Sequence, residues 1–439
     1  MLRFAIATLG CKINQYDSAM IESRLLNAGL ERCEFSDGAD VYVVNSCTIT
    51  NTADNESLRM ARRARRLNPS ARVIVTGCLA QADSGVLERE AAVDAIVGLA
   101  RPGDLEAAAL GRSERRVMVS NLRKERAAIE LGAVTLDGRT RGFLKVQEGC
   151  DQFCTFCIVP FSRGQSRSVA PRRILDALDG LAQQGVKEAV LTGVHLGGYG
   201  HDLDPPISLE RLIEMLDERA PLTRLRLSSI DPEELSDGII RRVAGSTKFC
   251  PHFHLPLQAG HDDTLARMRR RYSIADYRGR VERILSLMPE AAIGADVIAG
   301  FPGETAQDFA AALDFVASLP LAYLHVFPYS RRSGTTAAKA GNQVAASEIK
   351  GRAAALRQLD RELRRAFAAR FAGRRATVLF EEHPAGCLRG YTRNYLRVNA
   401  NGAPSLINQE VEVELSLDQD AQLVGRIAAG REECAADCR

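Results

Sequence analysis

Residues 142–157, GFLKVQEGCDQFCTFC, contain the feature from which the fold and the chemistry of this chain follow. An apolar strand runs into a loop that places Cys150, Cys154 and Cys157 in a C-x3-C-x2-C pattern. Closely spaced thiolates bind soft metals and iron–sulfur clusters. No fourth cysteine or histidine lies nearby, which disfavours a saturated zinc site. A cubane cluster held by three thiolates keeps one iron open, and an open coordination position indicates reactivity.

The strand before this loop is the first of six strand–helix units between residues 141 and 335. The six strands are predicted at GFLKVQEG, EAVLTGVHLG, RLRLSSI, HFHLPLQ, AAIGADVIAGFPGE and YLHVFPYS. Strands that alternate with helices predict a parallel sheet, and six units fall short of the eight that close a standard barrel. We therefore predict a partial (β/α)6 barrel, open on one side, with its chemistry at the carboxyl ends of the strands.

The N-terminal region repeats the same alternation and places a cysteine after each of three strands. Cys11 follows RFAIATLG, Cys47 follows DVYVVNS, and Cys78 follows ARVIVTG. The carboxyl ends of parallel strands share one edge of an open sheet, which is where ligands bind. We therefore expect the three thiols to converge, although one such cysteine alone would be explained as a small buried residue.

The whole chain is predicted to be an α/β protein of three domains. A doubly wound parallel-sheet domain is expected at 1–110, a connector at 111–140, and the partial barrel with a following basic helix at 141–370. Alternating strands and turns at 371–439 predict a small antiparallel, OB-like β-domain and a tail. Cys33, Cys250 and Cys387 are interpreted as small packing residues, and Cys434 and Cys438 remain unassigned.

Composition indicates a globular protein without a membrane span. The 439 residues are 46% hydrophobic and 26% charged, and no apolar run approaches the roughly 20 residues that a span needs. The N-terminus lacks the features of a signal peptide, so we expect a cytoplasmic protein with reduced thiols. Net charge is only +3. Basic clusters at 62–66, 269–271 and 350–375 favour a polyanionic partner, although solvated helix faces are the alternative for each.

The C-x3-C-x2-C loop resembles the signature of the radical S-adenosylmethionine superfamily. The segments GCKINQYDS, VNSCTIT and TGCLAQ around the other three cysteines resemble the N-terminal domain of the methylthiotransferases. The C-terminal region resembles their RNA-binding TRAM domain. Within that family, GCKINQYDS and LTGVHLGGYG are most similar to the enzymes that act on threonylcarbamoyladenosine in tRNA.

This resemblance implies two [4Fe–4S] clusters, each with three cysteine ligands. Cys150, Cys154 and Cys157 are expected to hold the cluster that cleaves S-adenosylmethionine, and Cys11, Cys47 and Cys78 the auxiliary cluster that carries the transferred sulfur. A second S-adenosylmethionine is expected to methylate that sulfur. The expected reaction adds a methylthio group to adenine C2, where an inert C–H bond requires a radical.

The resemblance also implies a set of S-adenosylmethionine-binding residues at the strand ends. These are Phe156, Arg163, Thr192, Gly193, Val194, Ser228, Ser229, Gln258, Asp296, Val297 and Ile298. Two departures from the family pattern are evident. The second strand lacks the glutamate of the common Gly-Gly-Glu motif, and Gln258 is followed by Ala-Gly-His rather than Ser-Gly-Ser. Ser228 and Ser229 have a plain alternative role as helix caps.

The expected partners are a tRNA anticodon stem–loop, an electron donor such as flavodoxin or ferredoxin, and a sulfur source. Tyr391, Arg393, Asn394 and Tyr395 are candidate RNA contacts, with a surface turn as the alternative. The favoured substrate is N6-threonylcarbamoyladenosine 37. The alternatives are N6-isopentenyladenosine 37 and an aspartate of a ribosomal protein. A binding protein with structural clusters is disfavoured, because structural sites normally saturate their metal.

Overall fold

A computed structural model describes residues 1–101, 103–124 and 140–427 of the chain. The N-terminal part is a six-stranded, fully parallel sheet in the order β2-β1-β3-β4-β5-β6. Its strands are β1 (Arg3–Thr8), β2 (Glu31–Arg32), β3 (Val41–Ser46), β4 (Arg72–Gly77), β5 (Ala95–Val97) and β6 (Val117–Met118). Its helices are α1 (Lys12–Asn27), α2 (Asn51–Leu67), α3 (Cys78–Ala82), α4 (Ser84–Glu88) and α5 (Gly103–Ala109).

The order of these strands reverses between β1 and β3. Doubly wound sheets bind ligands in the crevice at such a switch point. The sheet continues past residue 110 to Met118, which pairs with Val97. We therefore propose that the N-terminal domain extends to residue 118. Half of the predicted connector, residues 125–139, lies outside the described ranges.

The central part contains six parallel strands that curve into an open barrel. One group has the order β10-β9-β7-β8 and the other β11-β12-β13, and isolated bridges join β10 to the segment around β11. The strands are β7 (Arg141–Glu148), β8 (Arg167–Ser168), β9 (Glu188–Gly193), β10 (Arg224–Leu227), β11 (His252–His254), β12 (Ala292–Ala299) and β13 (Tyr323–Pro328). Only β8, a short edge strand, runs antiparallel.

Helices cover the outer face of this barrel. They are α6 (Val159–Ser162), α7 (Pro171–Gln183), α8 (Leu209–Arg219), α9 (Asp237–Gly245), α10 (Asp262–Arg267), α11 (Ile274–Leu287), α12 (Ala306–Ala317) and α13 (Ala346–Ala369). Apolar strand residues such as Leu144, Leu191 and Ile293 pack against these helices and form the main core. The alternate residues of each strand point the other way, into the barrel.

The C-terminal part is a closed five-stranded barrel in the order β14-β15-β16-β18-β17. Its strands are β14 (Arg375–Glu382), β15 (Leu388–Thr392), β16 (Arg397–Ala400), β17 (Glu410–Leu417) and β18 (Leu423–Ile427). All pairs are antiparallel except β16 with β18. The predicted α/β fold class is therefore confirmed in all three parts. Cys434 and Cys438 lie outside the described residues.

The C-terminal barrel is attached to the amino-terminal ends of the central strands by buried ion pairs. Glu188 lies between Arg224 and Arg226, at 2.8 and 2.7 Å, and the three side chains are at most 1% exposed. Burial alone would raise the pKa of Glu188, but the two guanidiniums lower it to about 2. Arg224 reaches Glu410 at 3.0 Å, and Arg226 donates to the carbonyl of Arg393.

The turn that was expected to contact RNA takes part in this attachment. Arg393 donates to the carbonyls of Thr223, Thr247 and Lys248, and Asn394 donates to that of Glu290. The prediction of RNA contacts is therefore wrong for Arg393 and Asn394, because their donors are used within the protein. Within the described ranges, no helix combines the length and apolar character that a membrane crossing requires.

Replacement of Glu188 by Gln should destabilise the protein by about 3–5 kcal/mol, because Arg226 would lose its buried carboxylate. Denaturant unfolding measures the change. Glu414→Gln is the matched control, since Glu414 pairs with Arg426 on the surface and its loss should change the unfolding midpoint little. Equal stability of Glu188→Gln and wild type would contradict this assignment.

Candidate functional site: two sets of three cysteines

The N-terminal cysteine set lies at the switch point of the parallel sheet. Cys11 immediately precedes α1, Cys47 follows β3, and Cys78 is the first residue of α3. Cys11 is exposed, whereas Cys47 and Cys78 are buried. Burial raises the pKa of both Cys47 and Cys78, and nearby thiols add to this effect: Cys78 and Cys11 for Cys47, and Cys11 for Cys78. The predicted convergence is thus supported by the structure.

Two glycines allow the backbone to bring these strand ends together. Gly10 has a φ of +96°, and a Cβ there would lie 2.8 Å from the sulfur of Cys47. Gly77 has a φ of +90°, and a Cβ there would lie 2.4 Å from the carbonyl oxygen of Ser46. Both positions therefore exclude a side chain. Asn14 links the same strand ends, since its amide donates to the carbonyls of Leu9 and Ser46.

The second cysteine set lies in the loop after β7. The backbone N–H of Cys150 donates to Gly164, and that of Cys157 donates to Cys154. Gly149 precedes the loop with a φ of +78°, and a Cβ there would lie 1.9 Å from the carbonyl oxygen of Gln165. The loop can therefore form only with glycine at this position.

The two cysteine sets are neighbours in space. The helix α3, which begins at Cys78, packs against α6, which begins two residues after Cys157. Arg163, directly after α6, places its Nε 3.2 Å from the sulfur of Cys78. A residue of the barrel domain therefore contacts a thiol of the N-terminal domain.

Arg163 belongs to a buried network of charges. Its guanidinium lies 2.6 Å from Asp17 and 2.7 Å from Glu148, and Lys145 lies 2.8 and 3.1 Å from the same two carboxylates. Burial opposes ionisation of Glu148, but Lys145 and Arg163 lower its pKa to about 2. The donors of Arg163 are thus directed to Asp17, Glu148, Asn14 and Cys78. The resemblance implies that Arg163 binds S-adenosylmethionine, whereas here its donors are engaged within the protein.

A second guanidinium contacts the other cysteine set. Arg270 Nη1 lies 3.4 Å from the sulfur of Cys154, and Asp231 pairs with Arg270 at 2.5 Å. Arg270 is almost fully buried, at 4% side-chain exposure. It therefore does not belong to the exposed basic patch predicted at 269–271.

The basic cluster predicted at 62–66 is partly neutralised by acidic residues. Arg62 pairs with Glu90 and Arg65 with Asp94, which weakens the case for a polyanion site there.

The donor sets fit iron–sulfur clusters. Burial raises the pKa of Cys47 to about 11 and those of Cys150 and Cys157 to about 12, so these thiols require a metal to be deprotonated near neutral pH. A single zinc ion would hold sulfurs roughly 3.8 Å apart. Among the described residues, the three sulfur atoms of each cysteine set do not all lie within 4.8 Å of one another. The wider spacing suits a multi-iron group, and a guanidinium N–H on one sulfur of each set suits a thiolate.

The candidate cofactor residues at the ends of β9 and β10 differ in burial and in hydrogen bonding. The Thr192 hydroxyl donates to Leu144 at 3.2 Å and is buried, so it serves packing. Gly193 approaches Gln147 closely, and Val194 follows it, half-buried, in the loop. The hydroxyl of Ser228 is buried and has no hydrogen-bond partner within the described residues, which suits a ligand contact. Ser229 is exposed.

The remaining candidate residues lie around β12. Gln258 has a φ of +66°, a strained conformation that occurs mainly at functional sites. Its backbone N–H donates to the carbonyl of Asp296, and its carbonyl accepts from the N–H of Ile298, so these two backbone groups in the stretch expected to bind S-adenosylmethionine are already paired within the barrel. The side chain of Val297 lies in the main core. Phe156 is half-buried, and its ring stands edge-on to Phe301 at 6.3 Å.

Several contacts between ionisable side chains near the sites were not predicted from the sequence. His195 lies 2.6 Å from Glu234 and 3.1 Å from Gln152 of the cysteine loop. Burial lowers the pKa of His195, but Glu234 raises it above its usual value. Inside the barrel, Asp296 contacts His254 at 2.8 Å and His325 at 3.1 Å. These partners are far apart in sequence, so no local pattern indicated them.

Family models match both cysteine-bearing parts of the chain. Residues 3–98 match the uncharacterized protein family UPF0004, and residues 144–316 match the radical SAM superfamily. A radical S-adenosylmethionine methyltransferase from Kitasatospora setae has a similar structure, with a TM-score of 0.55, 15% identity and 77% of each chain covered. The partial barrel and its cysteine loop thus define a radical S-adenosylmethionine enzyme, which implies one [4Fe–4S] cluster and S-adenosylmethionine.

Curated relatives identify the family to which this chain belongs within the superfamily. The threonylcarbamoyladenosine tRNA methylthiotransferase MtaB of Bacillus subtilis is 38% identical, with 94% of each chain covered. The tRNA-2-methylthio-N(6)-dimethylallyladenosine synthase of Clostridium novyi is 32% identical, with 97% of this chain and 96% of the relative covered. This chain belongs to the radical S-adenosylmethionine methylthiotransferase family, as its motifs indicated.

Replacement of Gly149 by Ala should abolish both the iron bound by the cysteine loop and S-adenosylmethionine cleavage, because a Cβ cannot fit beside Gln165. Iron content per chain and release of 5′-deoxyadenosine after anaerobic reconstitution measure these effects. Gly351→Ala is the matched control, since a Cβ at this helical glycine meets nothing within 4 Å. Normal cleavage by Gly149→Ala would show that the loop tolerates the side chain.

Proposed function

We propose that this protein inserts a methylthio group at C2 of N6-threonylcarbamoyladenosine 37 in tRNA. The observation that carries the proposal is the pair of neighbouring three-cysteine sets bridged by Arg163, in a chain whose relatives are named for this reaction. The same chemistry on N6-isopentenyladenosine is the second candidate, because other relatives are named as dimethylallyladenosine synthases.

The six cysteines would hold two [4Fe–4S] clusters, one on each set. Such clusters, when bound, supply the electron that cleaves S-adenosylmethionine and the sulfur that is transferred. The protein holds the two sets at a fixed separation through the contact of α3 with α6. Arg163 and Arg270 each donate an N–H to one sulfur and orient that ligand.

The remaining residues would bind and orient S-adenosylmethionine. We propose that the unpartnered hydroxyl of Ser228 binds the ribose or carboxylate of the cofactor, and that the half-buried ring of Phe156 lies near its adenine. Gly193 would let the cofactor approach the end of β9 closely. Gln258, whose backbone is held by β12, would position its amide toward the same space.

A lysine beside Cys11 supports the threonylcarbamoyl substrate, because burial lowers the pKa of Lys12 and a carboxylate partner would favour its charged form. Lys12 is half-buried, and its electrostatic neighbours are Tyr395, Arg141, Arg226 and Glu188. Glu188 already pairs with Arg226, and Arg141 pairs with Glu381. Lys12 itself makes no hydrogen bond or ion pair with a described residue. A carboxylate on the N6 substituent would complement this charge, whereas an isopentenyl group would not.

The proposed reaction requires partners from the cell. An electron donor such as flavodoxin or ferredoxin would reduce the barrel cluster, and a sulfur source would restore the auxiliary cluster after each turnover. A tRNA substrate and thiols that remain reduced suit a cytoplasmic location.

Deletion of the gene should remove the methylthio derivative of N6-threonylcarbamoyladenosine from digested cellular tRNA, as measured by mass spectrometry. Wild-type protein should restore it. Variants with Ala at Cys150, Cys154 and Cys157, or at Cys11, Cys47 and Cys78, should each retain about half of the iron and restore nothing. An unchanged nucleoside profile after deletion would exclude this substrate, and loss of only the isopentenyl derivative would favour the second candidate.

Replacement of Lys12 by Gln should lower kcat/KM on a stem–loop that carries N6-threonylcarbamoyladenosine by about 10- to 150-fold. This range corresponds to the loss of a charge-assisted hydrogen bond of about 1.5–3 kcal/mol. Lys350→Gln removes an equal charge from an exposed site and is the control. Iron content checks the neighbouring Cys11. An equal loss of binding to a stem–loop with plain adenosine would mean that Lys12 does not recognise the carboxylate.

A further inference from the structure

A cavity lies where the central barrel, the basic helix α13 and the C-terminal barrel meet. Its volume is about 530 Å³, within the range of ligand-binding cavities in proteins. The central barrel contributes Tyr323 and His325, and the C-terminal barrel contributes Tyr391, Tyr395 and Arg397. We call this space the α13 cavity. It is separate from both cysteine sets.

Four arginines make the wall of the α13 cavity strongly positive. Arg361, Arg364 and Arg365 lie on α13, Arg397 lies on β16, and Asp420 is the acidic residue among the lining residues. Arg364 pairs with Asp360 and covers the ring of Tyr323 at 5.0 Å. Arg365 and Arg397 are exposed, and neither has a hydrogen bond or ion pair with any described residue. Two guanidiniums are therefore available for an anion.

Aromatic rings form the adjacent wall. Tyr391 and Tyr395 stack on each other with 5.0 Å between ring centroids, so these rings are fixed in orientation. The side chain of His325 is 51% exposed and also contacts Asp296 inside the barrel. His325 thus lies at the boundary between the α13 cavity and the barrel interior.

Planar cations beside an exposed ring, here that of His325, are the combination that recognises a nucleotide in a single strand. Guanidiniums bind phosphate, and aromatic side chains stack on unpaired bases. We propose that the α13 cavity binds one nucleotide of the RNA substrate other than the modified adenosine. Its phosphate contacts Arg365 and Arg397, and its base lies against the ring of His325 and the edge of Tyr391, whose ring is covered by Tyr395 and Arg141. The proposal rests on the proposed RNA substrate and assigns a second contact to it.

Replacement of both Arg365 and Arg397 by Ala tests this site. The probe is a synthetic anticodon stem–loop that carries N6-threonylcarbamoyladenosine, and its Kd is measured over a range of salt concentrations. Binding by the double variant should be about 10- to 100-fold weaker. The slope of log K against log salt should shrink by about 0.7 for each lost phosphate contact. Arg172→Ala with Arg375→Ala removes the same charge from exposed positions outside the cavity.

The proposal is overturned if the control pair weakens binding equally, because the loss of affinity would then reflect the net charge of the protein and not a specific site. It is also overturned if the slope does not change. Adenosine monophosphate serves as a competitor: if it binds the cavity as tightly as the stem–loop, the ligand is a free nucleotide.

A second measurement does not depend on the variants. Photocrosslinking of stem–loops that carry 5-iodouridine at single loop positions should map to His325 or Tyr391 by mass spectrometry. Crosslinks confined to other surfaces would contradict the site. Failure of the proposed function itself would appear differently, as a tRNA nucleoside profile that deletion of the gene leaves unchanged, whether or not the stem–loop binds at the cavity.

Discussion

The buried ion network around Arg163 determines how the two cysteine sets lie relative to each other. Asp17 comes from the N-terminal domain, and Glu148, Lys145 and Arg163 come from the barrel. Buried charges are costly unless they are paired, and removal of one partner is strongly destabilising. Each domain therefore leaves buried charge uncompensated unless the other is docked. The chemistry proposed here depends on this requirement, since sulfur transfer needs the two sites at a constant separation.

Local sequence patterns predicted the features of the fold that depend on residues close together in the chain. The alternation of strands and helices predicted both parallel sheets, and the position of each cysteine after a strand predicted where the thiols lie. The pairing of Arg163 with Asp17 joins residues 146 positions apart, and no periodicity carries such information. The contacts of Arg163 with Asp17 and Cys78 are therefore defined only by the tertiary structure.

The basic and aromatic residues illustrate the same limit. Arg393 and Asn394 have the composition of an RNA contact, yet they bind carbonyls of the barrel, because the donors that bind phosphate also bind peptide oxygen. Arg62 and Arg65 are neutralised by acids that follow in sequence. Arg365 and Arg397, where α13 and the C-terminal barrel meet, are instead the arginines of the α13 cavity with no hydrogen bond or ion pair to any described residue. Sequence composition counts charges, whereas pairing decides which of them remain available.

The ion pairs of Glu188 with Arg224 and Arg226 bear on how this architecture can be recombined. The C-terminal barrel contributes Glu410 and the carbonyl of Arg393 to this group. A chimaera that exchanged only the C-terminal barrel with that of a relative would have to supply an acid and a carbonyl at the same places. The two modules are thus expected to be inherited and engineered as one unit, rather than as a catalytic body with an interchangeable appendage.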